Sequence, residues 1–293
     1  MTPAGAVNPS TGGVPRTCLI CRTCGVQHAA GERPPERCAI CDDERQYVGW
    51  GGQAWTTLAE LRAEGLRCQL RELEPGLVGI GTTPPFAIGQ RALLVRTPAG
   101  NLLWDCPGYL DDETVGRVRA LGGIGAIACS HPHFHGVMVE WSRAFGGAPI
   151  YVPRADSAWV LRPDPVVRWW EGRLAPLPGV TVVQCGGHFE GSSVLLWRDG
   201  AEGRGVLLVG DTVTVVSDRR FVSFMRSYPN LIPLPASEVR RVAAAVAGLE
   251  FDRIYGGWWD RDVRQDAYQA VTRSAERYIA HVEGQAAAEP VRA

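Results

Sequence analysis

The chain has 293 residues, 45% of them hydrophobic, and its 30 Lys and Arg residues against 31 Asp and Glu residues give a formal net charge of −1. This balance argues against the basic surface that nucleic-acid binding requires, so we expect a small-molecule substrate and no nucleic-acid partner. No apolar run approaches the roughly 18 residues that span a bilayer, and the first 16 residues lack the apolar segment of a signal peptide; we therefore expect no membrane association and a cytoplasmic location.

The N-terminal region contains five of the nine cysteines, all between residues 18 and 41. Two Cys-x-x-Cys pairs have the spacing that lets four thiolates surround one zinc ion, and they consist of Cys21, Cys24, Cys38 and Cys41. Cys18 forms an alternative pair with Cys21, and iron in the same four sulfurs is an alternative to zinc. We predict a disordered segment over residues 1–16 and a structural zinc ribbon over 17–45, because four thiolates leave no open coordination position.

The rest of the chain predicts a linker followed by alternating strands and helices. Residues 46–75 indicate a linker with a capped short helix at Thr56–Arg62. Strands are predicted at Ala92–Thr97, Leu102–Asp105, Ile124–Cys129, Pro149–Val152, Thr181–Cys185, Ser193–Trp197 and Val206–Thr212, and helices at Asp111–Leu121, Val137–Phe145, Ser237–Gly248 and Asp266–Val282. Because polar residues gather at strand ends, this pattern favours an α/β architecture with a site on one rim. The Ala-rich tail over 283–293 is predicted to fray.

A histidine-rich stretch, Ser130–Gly136, directly follows the predicted strand that ends at Cys129. Its histidines occupy every second position, and alternate residues of an extended segment point the same way. His131, His133 and His135 are therefore candidates to present imidazoles to one metal ion. The alternative is a solvated loop that is rich in histidine by chance.

The ordered motifs of the chain resemble the metallo-β-lactamase fold superfamily over about residues 76–280. The resemblance depends on His131 and His133, on the turn Gly187–Ser192 that contains His188, and on the strand end Gly210–Thr212. It implies an αββα sandwich over residues 76–282, with helices outside two facing sheets and metal at one edge. It further implies that His131, His133 and His188 form a first metal site, and that Asp211 bridges toward a second.

The chain departs from the superfamily pattern at the second metal site. His135 and Gly136 stand where the family has Asp and His, and Trp258 stands near the position of the final His. We therefore expect one catalytic metal, with Trp258 as an apolar wall of the substrate pocket. His135 is either a general base or extra ligand, or a residue outside the coordination shell that faces solvent or supports a ligand.

Three functions are compatible with this pattern. The first is hydrolysis of an ester, thioester, lactone or amide by a zinc site that polarises the carbonyl and activates water, with Asp211 and His135 as catalytic residues. The second is oxidoreductase chemistry at iron(II) held by His131, His188 and Asp211, as in the superfamily's persulfide dioxygenases. The third is a non-catalytic metal-binding protein.

Overall fold

The fold is taken from a computed structural model that describes residues 17–285. The predicted disorder of residues 1–16 lies outside the described residues, as does most of the predicted tail. The proposed domain boundaries remain predictions. No helix within the described range is both long and apolar enough to cross a bilayer.

A small cysteine knuckle opens the described chain. Its two short strands, β1 (Ile20–Cys21) and β2 (Trp55–Thr56), pair antiparallel, and the one-turn helix α1 (Ala39–Asp42) lies between them in sequence. The helix α2 (Leu58–Ala63) follows, and its N-cap Thr57 accepts a hydrogen bond from the Glu60 N–H at 3.1 Å. This capping confirms the short helix that the sequence predicts.

The first large sheet has seven strands in chain order. They are β3 (Arg67–Glu74), β4 (Leu77–Thr83), β5 (Ala92–Thr97), β6 (Gly100–Trp104), β7 (Ala126–Ala128), β8 (Ile150–Pro153) and β9 (Val167–Trp170). Strands β3 to β6 form antiparallel hairpins, with Leu94 opposite Leu103, which confirms the predicted β5–β6 hairpin. Strands β6 to β9 run parallel, and the helices α3 (Asp112–Ala120) and α4 (Met138–Ala144) provide two of the crossovers. A 3₁₀ turn spans Arg154–Trp159.

The second half of the chain forms a six-stranded sheet and two small ribbons. The strands are β10 (Arg173–Leu177), β11 (Val180–Gln184), β12 (Ser193–Trp197), β13 (Val206–Leu208), β14 (Thr214–Val215), β15 (Val222–Ser223), β16 (Met225–Ser227), β17 (Ile232–Pro233), β18 (Arg253–Tyr255) and β19 (Asp262–Val263). The sheet order is β10-β11-β12-β13-β18-β19, whereas β14 pairs with β15 and β16 pairs with β17. A turn at Gly200–Gly203 joins β12 to β13, and the C-terminal helices are α5 (Ala236–Val246) and α6 (Ala267–Val282).

The two large sheets pack face to face with helices on both outer faces. Between the sheets lies an apolar layer in which Leu77 and Trp104 of the first sheet meet Leu195 and Leu208 of the second. Helices α3 and α4 pack on the outside of the first sheet, and α5 and α6 pack on the outside of the second. This four-layered αββα sandwich confirms the fold class that the sequence predicts.

Candidate metal centre

The predicted extended conformation of the histidine stretch is wrong beyond His131. His131 is extended, with a φ of −170°, but Pro132–Phe134 form a 3₁₀ turn. This turn still brings the His131 and His133 rings together, with centroids 5.1 Å apart. His135 lies outside the cluster and lines a small cavity beside the knuckle, together with Gln27 and Arg162. Proline at the first turn position explains why strand-like alternation stops there.

His131 is oriented by groups from two neighbouring strand ends. Asp105 follows β6, and its carboxylate accepts the backbone N–H of Ser130 at 2.7 Å. The Ser130 Oγ lies 2.9 Å from His131 Nδ1, which leaves His131 Nε2 to face the cluster without a hydrogen-bond partner in the described chain. Gly210 permits this approach, because a Cβ there would lie 2.4 Å from Ser130 Oγ.

His188 and Asp211 come from the second sheet. The Nδ1 atom of His188 lies 3.1 Å from the carbonyl oxygen of Met225, and its Nε2 atom lies 3.3 Å from His133 Nδ1. Asp211 Oδ2 lies 3.5 Å from His131 Nε2 and 3.9 Å from His188 Nε2. Its Oδ1 accepts a hydrogen bond from the Thr214 hydroxyl at 3.0 Å. The four side chains therefore direct one ligand atom each toward a common point.

This point fits a metal ion. The four ligand atoms lie within 4.8 Å of one another, and all four residues are buried: His131, His133, His188 and Asp211. Burial lowers the pKa of His131 and of His188 to about 3, and it lowers the pKa of His133 well below its usual range. A neutral imidazole has one unprotonated ring nitrogen, and its lone pair can bind a metal ion.

The second convergence of ligands is the cysteine knuckle. The Cys21 and Cys41 sulfurs lie 3.6 Å apart, the Cys24 and Cys38 sulfurs lie 3.7 Å apart, and all four are buried. Cys18, the alternative partner, is not part of this group. Four sulfurs within reach of one centre fit a tetrahedral metal site without an open position.

The knuckle contacts the loop that supports His188. The Asn230 side-chain amide donates to the carbonyl oxygens of Glu44 and Gln46, at 2.9 Å each, and Glu44 forms an ion pair with Arg226. Arg226 follows Met225, whose carbonyl oxygen faces His188. The segment directly after Cys41 therefore packs against a support of the histidine cluster.

An open cleft of about 670 Å³ reaches the cluster at Asp211. Trp258, which is predicted from the sequence to be a wall of the substrate pocket, lines this cleft, and its indole N–H donates to the Ile88 carbonyl at 2.8 Å. Sequence reasoning missed Tyr228, whose hydroxyl donates to the Asp211 carbonyl at 3.1 Å, and it also missed Arg261. Tyr228 lies in a segment that follows the Asp211 strand, but only the folded loop shows which of its side chains face the cleft.

Gly136 and Trp258 are the residues that the sequence resemblance aligns with second-site histidines. Gly136 has a φ of +47°, and a Cβ there would lie 2.2 Å from the Cys106 carbonyl oxygen. The Trp258 ring packs edge-to-face on Phe134, with centroids 5.4 Å apart. Within residues 17–285, the groups of three or more converging ligands are the histidine cluster and the knuckle.

Comparisons with solved structures identify the fold. VMB-1 superposes with a TM-score of 0.55 at 14% identity, covering 74% of this chain and 98% of that one. A B3 metallo-β-lactamase with an active-site glutamic acid gives a TM-score of 0.50 at 16% identity, covering 83% of this chain and 99% of that one. The protein thus has the metallo-β-lactamase fold, and the resemblance inferred from its sequence is confirmed at the level of the fold.

Sequence comparison identifies the family within that fold. No family model matches the chain. The uncharacterized protein YmaE of Bacillus subtilis (strain 168) is 50% identical over 262 residues, which cover 89% of this chain and 95% of YmaE. The chain belongs to the same family as YmaE.

Proposed function

We propose that this protein is a metal-dependent hydrolase that cleaves an ester, thioester, lactone or amide at one metal ion. The observation that carries the proposal is the position of the cluster. Its four ligand atoms converge beneath an open cleft, and Asp211 belongs both to the cluster and to the cleft lining. An ion held there faces substrate, unlike an ion enclosed by the four cysteines.

Hydrogen bonds from neighbouring residues orient the side chains of the histidine cluster. When bound, a divalent metal polarises the carbonyl of an acyl substrate and lowers the pKa of water. Ser130 and the Met225 carbonyl hold the outward ring nitrogens of His131 and His188, and Thr214 holds the Asp211 carboxylate. These contacts resemble the hydrogen bonds that orient ligands in metalloenzymes, where their loss weakens metal affinity or activity.

Two residues that depart from the superfamily pattern, Gly136 and Trp258, support one metal rather than two. The backbone at Gly136 excludes any larger side chain, so a histidine cannot replace it without moving the Cys106 segment. Trp258 presents an indole ring to the cleft, which supplies no metal ligand. Each departure seen in the sequence is thus accompanied by local packing that fits the residue present: close backbone contact at Gly136 and an indole ring in the cleft at Trp258.

The test is metal content by plasma mass spectrometry, combined with a panel of 4-nitrophenyl acetate, S-phenyl thioacetate, γ-butyrolactone and acetanilide. The protein is purified without added metal, and a His131→Ala/His188→Ala variant is compared with a control, His281→Ala, at an exposed position on α6. We expect two zinc ions per wild-type and control chain, one per double variant, and loss of hydrolysis only in the double variant.

Two other results contradict the proposal. One zinc and one iron, with only the iron lost in the double variant, favours oxidoreductase chemistry at His131, His188 and Asp211. Unchanged metal content in the double variant shows that the histidine cluster binds no metal, and the catalytic proposal then fails.

A further inference from the structure

The chain leaves the cysteine knuckle through a short ordered segment, residues 43–46. This segment directly follows the one-turn helix α1, which carries Cys41 of the four-cysteine group. Asp43 fixes its shape, because the carboxylate accepts the N–H of Arg45 at 2.9 Å and the carbonyl oxygen accepts the N–H of Gln46 at 3.0 Å. A helix of one turn is not stable by itself, so the position of residues 43–46 depends on the metal that the four sulfurs would bind.

Arg45 extends from this segment toward the histidine cluster. Its guanidinium carbon lies 4.1 Å from the centre of the Phe189 ring, and its side chain is only 12% exposed. An ion pair with Asp43, at 3.5 Å, holds the same side chain to its own segment. The buried Phe189 ring in turn packs against all three imidazoles of the cluster, with ring centroids 5.1 to 5.9 Å apart. Because a cation over an aromatic ring is bound more strongly where water is excluded, Arg45 restrains the ring that the histidines pack against.

The hairpin formed by β16 and β17 is attached to the same segment through Asn230. The Asn230 side-chain amide donates to the carbonyl oxygens of Glu44 and Gln46, at 2.9 Å each. Its backbone N–H donates to Ser227 Oγ at 3.2 Å, which fixes the turn of the hairpin. Glu44 also forms an ion pair with Arg226 of β16. These contacts set the position of the hairpin relative to the knuckle.

Two of the four candidate metal ligands depend on this hairpin. The Met225 carbonyl oxygen lies 3.1 Å from Nδ1 of His188, and the Tyr228 hydroxyl donates to the Asp211 carbonyl at 3.1 Å. Hydrogen bonds of this kind orient metal ligands, and their loss weakens metal affinity. A shift of the hairpin therefore moves the supports of His188 and Asp211 together.

We propose that residues 43–46 and Asn230 couple the two candidate metal sites, so that a metal-loaded knuckle raises the affinity of the histidine cluster for its own metal. Arg45 and Asn230 are positioning residues, because one restrains Phe189 and the other restrains the hairpin. The inference rests on metal binding at the cluster, which the proposed function also requires. It makes the knuckle a control element of the catalytic site. Because coupling between two binding sites is reciprocal, a loaded cluster raises the affinity of the knuckle by the same factor.

The test titrates metal-free protein with cobalt(II) in competition with a chromogenic chelator. The sulfur-to-cobalt charge-transfer band reports on the knuckle, and the visible bands that a His131→Ala/His188→Ala variant lacks report on the cluster. Cys38→Ser, which empties the knuckle, should weaken cobalt binding at the cluster about tenfold. Asn230→Asp keeps the shape of the side chain but turns its donors into acceptors that face two carbonyl oxygens. This variant should weaken cobalt binding at the cluster about fivefold while the knuckle stays loaded.

Arg45→Met removes the cation from the Phe189 ring and should weaken cobalt binding at the cluster about fivefold, and Arg45→Lys should restore part of this loss. The matched controls are Arg33→Met and Gln285→Glu, which make the same kinds of change at exposed positions and should leave the affinity unchanged. The charge of Arg45 repels a divalent cation. Tighter cobalt binding by Arg45→Met would therefore show that this repulsion outweighs the support of the ring, and it would overturn the positioning role of Arg45.

Combined variants separate coupling from a general loss of stability. In the Cys38→Ser background, Asn230→Asp should weaken cobalt binding at the cluster by less than about twofold more, because the segment that Asn230 contacts is already released. Circular dichroism and the melting temperature show that each variant is folded at the temperature of the titration. If Cys38→Ser does not fold, Asn230→Asp and Arg45→Met decide the question alone.

Two results separate the inference from the proposed function. If the cluster of wild type, Cys38→Ser and Asn230→Asp binds cobalt with equal affinity, the inference is wrong even if the melting temperatures differ, and the proposed hydrolase stands. If wild type shows no cobalt bands from the cluster, the histidine cluster binds no metal. The proposed function then fails, and the inference fails with it.

Discussion

The carboxylate of Asp105 accepts the backbone N–H of Ser130 at 2.7 Å, with both groups fully buried. Asp105 has a φ of +67°, so the chain turns sharply after β6 and directs its carboxylate at the start of the histidine turn. Ser130 in turn contacts His131. Asp105, which is outside the group of four candidate ligands, therefore influences how His131 is presented to that group.

Replacing Asp105 by alanine should weaken metal binding at the histidine cluster about 10- to 100-fold, because the Ser130 N–H loses its acceptor and His131 loses its support. Asp105→Asn is the control. It keeps an acceptor oxygen, and a neutral side chain suits a position where burial raises the pKa of Asp105 well above its usual range. Competition with a chromogenic chelator measures the affinity, and equal affinities for the two variants would contradict this role.

The cysteine knuckle should lose its metal when Cys38 is changed to serine. Because the four sulfurs form the centre of the knuckle's small core, we expect the melting temperature to fall by about 5 °C or more. Cys18→Ser removes a cysteine outside the group and should change neither metal content nor melting temperature. Retention of full metal content by Cys38→Ser would show that the knuckle is not a four-cysteine site.

Gly136 should not tolerate even one added carbon. Gly136→Ala places a Cβ 2.2 Å from the Cys106 carbonyl oxygen at a φ of +47°, so we expect the free energy of unfolding to fall by about 3 kcal/mol. Gly146→Ala separates the effect of the positive φ from that of the clash, because Gly146 has a φ of +73° but open space around it. Its free energy of unfolding should fall by only about 1 kcal/mol. Urea unfolding of both variants measures the difference in the free energy of unfolding. Equal decreases would show that a small backbone shift removes the clash at Gly136 with little loss of stability.

His135 should make the metal-free protein less stable in acid. Burial lowers the pKa of His135 to about 3, against about 6.5 in an unfolded chain, so the unfolded state binds the proton first. The contribution of neutral His135 to the free energy of unfolding is fully present above pH 6.5 and is lost as the pH drops toward 3. Between pH 6.5 and 5 this one group should lower the free energy of unfolding by up to about 2 kcal/mol. His135→Met should reduce that slope in urea unfolding at pH 7.5, 6 and 5. An unchanged slope would mean that His135 has the same pKa in the folded protein as in the unfolded chain.

The sequence predicted the sandwich and the residues of the cluster, but not how each side chain is aimed. Local patterns sufficed for the β5–β6 hairpin and for the capped helix α2, since turn and capping residues act over a few positions. The alternation rule grouped His135 with His131 and His133, and the 3₁₀ turn begun by Pro132 separated it. The Trp258 indole N–H donates to the carbonyl of Ile88, which lies 170 positions earlier in the chain, and no local pattern reports such a pairing.

The four residues that could hold a metal ion come from both halves of the sandwich. His131 and His133 follow β7 of the first sheet, whereas His188 and Asp211 follow β11 and β13 of the second. An ion bound to all four residues would therefore link the two sheets at their rim. Loosening one sheet against the other must release the metal, and removing the metal must ease their separation, so a metal titration of this protein also reports on the cohesion of its two halves.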